Sequence, residues 1–226
     1  ETKFQTDFTT ISKYLGALDK DRYKAFVHRF SFSSKDISVI TLNYTDTLEK
    51  ILGLSPNITT KGFGGNTNLR NIIHVHGQLG ESIIIGVDHP AQMKNEAFRN
   101  NEDIKDIMIK IESNESMKET RHMECERLIA NANVIVLFGV SLGETDARWW
   151  KLIGQNLKRR KNIAIIQHLY NPGAINPTQR QKIRQLERKQ QEYLLQRMEV
   201  KMEVGDVDIR DRLFFTVNEP IFKILP

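Results

Sequence analysis

Six short apolar runs constrain this chain more than any other feature. Residues 37–42, 71–75, 82–87, 134–138, 163–167 and 213–217 are rich in Ile, Val, Leu and Phe, and most stop at small or polar residues. Most show no apolar–polar alternation, the pattern of strands covered on both faces. Helical periodicity lies between several of them. Strand–helix alternation predicts an α/β fold with a mainly parallel sheet flanked by helices. The runs 71–75 and 82–87 are separated by too few residues for a crossover helix, which predicts antiparallel neighbours.

The helical patterns divide the rest. Over residues 2–30, Phe4, Phe8, Ile11, Leu15 and Leu18 recur on one helix face, followed by Tyr23, Phe26 and Phe30. This predicts an N-terminal helical segment, 1–33, ahead of an α/β domain, 34–226. Two helical insertions fall at about 92–130 and 177–201. The first is charge-dense, with Ile104, Ile107, Met108 and Ile111 on one face, and could cover a site as a lid. The second, with Ile183, Leu186, Tyr193 and Leu194, reads as an amphipathic helix. Its alternatives are a basic contact surface or a contact between subunits of a homo-oligomer. Asp46 and Glu49 fit a capping box for a helix over 47–52. Thr145 or Asp146 can cap the helix carrying Trp149, Trp150, Ile153 and Leu157.

Composition excludes several classes. At 226 residues, 39% apolar and 27% charged, the chain can bury a core. No apolar run approaches the roughly 20 residues of a membrane span, so no membrane partner is expected. With no signal segment, a cytoplasmic location is expected. The single cysteine, Cys125, excludes an internal disulfide and a four-cysteine zinc site. A net charge of +5 is too weak to make nucleic acid the expected partner. The chain opens on Glu1, which we read as an excerpt of a longer protein or a processed product.

Three polar clusters follow predicted strands, where open α/β sheets bind ligands. They are residues 41–46, 74–77 and 138–146. Each has a structural explanation: Thr45, Asp46, Thr145 and Asp146 as helix caps, and Gly77, Gly139 and Gly143 as turn glycines. Their coincidence at one sheet edge favours a site. An amide such as Asn43 can orient a water or a ribose hydroxyl without a charge to desolvate. His76 can act as a general base near neutral pH. His74, two residues earlier, makes a His-x-His pair that could hold a metal with Asp46, Asp88 or His89. No familiar ligand spacing results, so no metal is expected.

Four blocks, in order, carry a resemblance: residues 41–49 (TLNYTDTLE), 74–77 (HVHG), 83–88 (IIIGVD) and 138–150 (FGVSLGETDARWW). Together they resemble the AbiH family of bacteriophage abortive-infection proteins, over roughly residues 38–150. That family in turn is similar to the sirtuin-like NAD-binding domains. The resemblance implies a Rossmann-like (sirtuin-like) sheet with Asn43 and His76 as the catalytic pair. It implies a nucleotide site lined by Tyr44, Thr45, Asp46, Gly77, Gly139, Ser141, Leu142 and Asp146. It implies NAD as substrate or ligand, cleaved to nicotinamide and ADP-ribose, with a phage-derived trigger. The sequence departs from the pattern in three ways. No glycine-rich turn follows an opening strand, the only glycine cluster being 62–65. Thr45 stands where many sirtuin-like domains carry aspartate. The zinc module of the deacylases cannot be built. Two alternatives stay open: a binding module without turnover, and a metal-dependent protein acting on nucleic acid through residues 180–201.

Overall fold

The computed structural model describes residues 6–7, 9–30, 35–54, 61–62, 67–170, 180–203 and 206–222. Phe4, Phe8, Thr178 and most of the glycine cluster at 62–65 lie outside them. The chain is α/β. A 3-10 turn (Ile11–Tyr14) leads into α1 (Ala17–Arg29), β1 (Lys35–Thr41), α2 (Thr47–Leu52), β2 (Lys61–Gly62) and β3 (Thr67–His74). An insertion follows with α3 (Glu96–Arg99), α4 (Glu102–Met108) and α5 (Lys110–Ser116). Then come α6 (Arg121–Asn131), β4 (Val134–Leu137), α7 (Ala147–Arg159), β5 (Ala164–Leu169), α8 (Arg180–Arg197), α9 (Val207–Asp211) and β6 (Leu213–Val217).

The strands form two hydrogen-bonded sets of three, where the sequence predicts one sheet. In the first set β1 runs parallel to β3, and the two-residue β2 lies antiparallel on β3's other edge. In the second, β4, β5 and β6 are all parallel. One apolar core joins the sets. Ile73 and Val75 from the first meet Leu137, Ile165 and Leu213 from the second, with Trp149, Trp150, Ile153 and Leu157 of α7. Each fully buried large apolar side chain there stabilises the fold by about 1.5–3 kcal/mol. Cys125, on α6, lies in the same core, and burial pushes its thiol up to about 12.

Residues 82–87 are not a strand. Ile84 N–H donates to His76 O at 2.8 Å, and Val87 makes a lone bridge to Ile109. The positive φ of Gly77 and Gly80 turns the chain before a ladder can form, and Ile85 is 64% exposed. The N-terminal helix pattern is also interrupted. Leu15 is extended, α1 starts after Gly16, and Leu18 is 70% exposed. Ile11, Leu15 and Phe26 cover the far face of the second sheet, against Ala164, Ile166 and Phe214. The insertion has no common apolar face: Ile107, Met108 and Ile111 are exposed. It breaks where the Asn101 side chain caps α4 and where Ile109 is extended.

Neither predicted cap forms. Asp46 bonds Lys50 Nζ at 2.8 Å, and Glu49 is drawn to His74. At α7 the cap comes from outside the helix: Asp88 Oδ2 accepts the Arg148 N–H at 3.1 Å. At the other end of α7, the buried Arg212 guanidinium donates to Leu157 O in the last turn and to Arg160 O and Ile163 O beyond it. Among the described residues, no helix is long and apolar enough to cross a membrane.

Candidate functional site

The site lies where β1, β3 and the start of α7 meet. β1 stops at Thr41, whose hydroxyl accepts the Asn43 N–H at 3.1 Å. His74, the last residue of β3, fixes the segment beyond. Its Nδ1 lies 2.8 Å from Asn43 O and its Nε2 2.7 Å from Glu49 Oε1. Both ring nitrogens therefore face acceptors. Leu79 N–H donates to Tyr44 O, which ties the same segment to the turn after His76. Gly77 sits in that turn at φ 86°. A Cβ there would stand 1.9 Å from Ser82 O, so only glycine fits.

His76 is the centre of the arrangement. Its Nε2 lies 2.8 Å from Asp146 Oδ1, and its ring centroid 6.4 Å from that of Tyr44. Lys110, from the insertion, donates to the same Asp146 oxygen at 2.7 Å and to Thr145 O at 2.5 Å. Burial alone would push the Asp146 carboxyl up. The hydrogen bonds from His76 and Lys110, with the charge of Lys110, outweigh it and hold the group at about 2. Asp88 Oδ1 lies 4.0 Å from Lys110 Nζ, and burial raises its carboxyl. Burial and the nearby Asp146 charge also raise the Tyr44 phenol.

These contacts set the chemistry of the ring. An ionised carboxylate accepts, so a neutral His76 carries its proton on Nε2 and its lone pair on Nδ1. Nδ1 has no hydrogen-bond partner among the described residues, yet it is not sealed from solvent. The pair is a carboxylate-held histidine with one nitrogen left open as a base, although the residue as a whole is only 6% exposed.

The loop after β4 faces the same region. Four of its carbonyls are taken: Leu142 O by Arg197, Gly143 O by the Trp150 indole, Glu144 O by Gln92 and Thr145 O by Lys110. Its N–H groups are not. From Gly139 to Gly143, five successive amides have no acceptor among the described residues. A run of backbone donors without acceptors suits an anion or a row of ribose hydroxyls. Just before it, Phe138 is 42% exposed and stacks on His168 at 5.1 Å. Two clefts, of about 470 and 320 Å³, flank the first turns of α7. Asp88, Arg148 and Lys151 line the larger, and Glu144, Lys151 and Arg197 the smaller.

The structure thus brings together His76, Tyr44 and Asp146, with Gly77 as the turn beside them. Asn43 reaches the group through its carbonyl, and its side chain is solvent-facing without a protein partner among the described residues. Thr45 bonds Thr47 at 2.9 Å on the surface, and Asp46 faces Lys50, so neither touches His76. Ser141 is exposed in the loop of open amides. The Leu142 side chain is buried in the core, so only its backbone is available there. His74 and His76 take separate carboxylates. Among the described residues, no three His, Cys, Asp or Glu side chains converge to hold a metal ion. Glu49 and Lys110 escape sequence reading. Glu49 reads as a cap, and Lys110 is 36 residues from its partner within a charge-dense insertion. A basic residue directly after the Ile109 break is the only local signal.

A family model described as bacteriophage abortive infection AbiH matches residues 2–168. No curated protein and no solved structure matches the chain.

Proposed function

The chain belongs to the AbiH family of bacteriophage abortive-infection proteins, and from that premise we propose that it cleaves NAD to nicotinamide and ADP-ribose during phage infection. The observation that carries this reading is the open Nδ1 of His76, with its partner nitrogen held by Asp146 at 2.8 Å. His76 would take a proton from the attacking water or from a ribose hydroxyl. Water adds to the ribose carbon, the carbon–nitrogen bond breaks, and its electron pair leaves with nicotinamide. The exposed amide of Asn43 would orient the water. The amides of Gly139–Gly143 and the Ser141 hydroxyl would hold phosphate or ribose oxygens. General-base catalysis of this kind contributes about 10²–10⁴-fold.

The test is nicotinamide release from NAD by the full-length protein, with and without infected-cell extract. His76→Gln should lower the rate by at least about 10²-fold while the urea midpoint stays put. A second reading, binding of a nucleotide or phage component without turnover, is favoured by the low exposure of His76. It predicts no product in extract, and a thermal midpoint raised by NAD or by a phage component.

A further inference from the structure

Lys110 opens α5, far along the chain from the residues it meets. Its N–H donates to Val87 O at 2.9 Å, and Val87 N–H donates to Met108 O at 2.8 Å. This bridge fastens the insertion to the segment that leaves His76. Gly86 permits it: a Cβ there would stand 2.0 Å from Met108 O. So fastened, Lys110 turns its ammonium inward, away from water. A desolvated ammonium is tolerable only because Asp146, Asp88 and the Thr145 carbonyl surround it.

We propose that Lys110 is a positioning residue for His76: delivered by the insertion, it holds the Asp146 carboxylate in place, so that Nε2 holds the proton and Nδ1 is the base. This rests on the reading of His76 as the base and adds its control. The site is complete only while the insertion is latched at Val87. The charged and titratable groups facing His76 are Asp146 at the start of α7, Lys110 on α5, Asp88 behind them and the Tyr44 phenol. Of these, only Lys110 opposes a positive charge on the ring. Without it, Asp146 is free to turn from the ring, and Nε2 loses the acceptor that fixes its proton.

Nitrogen-15 NMR of the histidine rings, on the full chain, tests this. Wild type should show His76 as the Nε2–H tautomer. Lys110→Met should mix the tautomers. Lys110→Gln, a donor without charge, should restore the Nε2–H tautomer. Gly86→Ala, which forces the latch apart, should reproduce Lys110→Met. An unmoved tautomer in folded Lys110→Met overturns the proposal. If that variant does not fold, mixed tautomers in folded Lys110→Gln do so. The spectra need no NAD. Absence of turnover in wild type would therefore sink the hydrolase reading alone.

Discussion

The two sheets are built on different terms. In the second, Ile163, Ala164, Ile165 and Ile166 are wholly buried, with helices on both faces. In the first, every residue of β1 is at least partly exposed, and the satellite cluster of Leu52 and Leu69 is small. The first sheet instead carries the polar network of His74, Glu49, His76 and Asp146. Stability and chemistry are thus separated, and α7 is shared: its apolar face belongs to the core and its first turn to the site. A site next to a rigid core, on the looser half, can change shape without unfolding the molecule.

The separation can be broken by measurement. Trp150→Ala should cost about 3–5 kcal/mol in urea denaturation, and Leu52→Ala, on the first sheet, about 2. Equal costs would mean that the two halves are equally packed. Asp146→Asn should cost about 2 kcal/mol at neutral pH and change the acid limb of stability. The Asp146 carboxyl lies below its ordinary value. Its contribution is therefore present above the unfolded carboxylate range, near pH 4, and is lost as pH falls through about 2. Asp88, raised by burial, acts in the opposite sense, and its share is lost as pH rises. The variant should flatten the slope between pH 4 and 2, and a slope equal to wild type would remove Asp146 from the stability account. The smallest effect belongs to Asp46→Ala. Its partner Lys50 is largely solvated, so stability should move by less than about 0.5 kcal/mol.

Legibility in the sequence follows the same divide. The run 213–217 is β6 residue for residue, and Trp149, Trp150, Ile153 and Leu157 are buried as their spacing predicts. There, burial on both faces writes itself as apolar content. Residues 82–87 are just as apolar yet form no strand, because glycine turns and the bridge to Ile109 decide their path. Local motifs misled where a long-range partner outbid a local one. Glu49 has the spacing of a capping box and goes to His74. Asp146 has the position of a cap and goes to His76 and Lys110, while Asp88 supplies the cap. His76 and Asp146 are each visible as candidates in the sequence. Their pairing, across 70 residues, is visible only in the fold.

Cys125 gives the molecule an internal clock. The lone thiol sits in the core on α6, the helix that follows the insertion, and burial has pushed it up to about 12, so little thiolate exists at neutral pH. An alkylating reagent can reach it only when α6 lifts from the core. The rate of labelling therefore follows the population opened there, with no engineered probe.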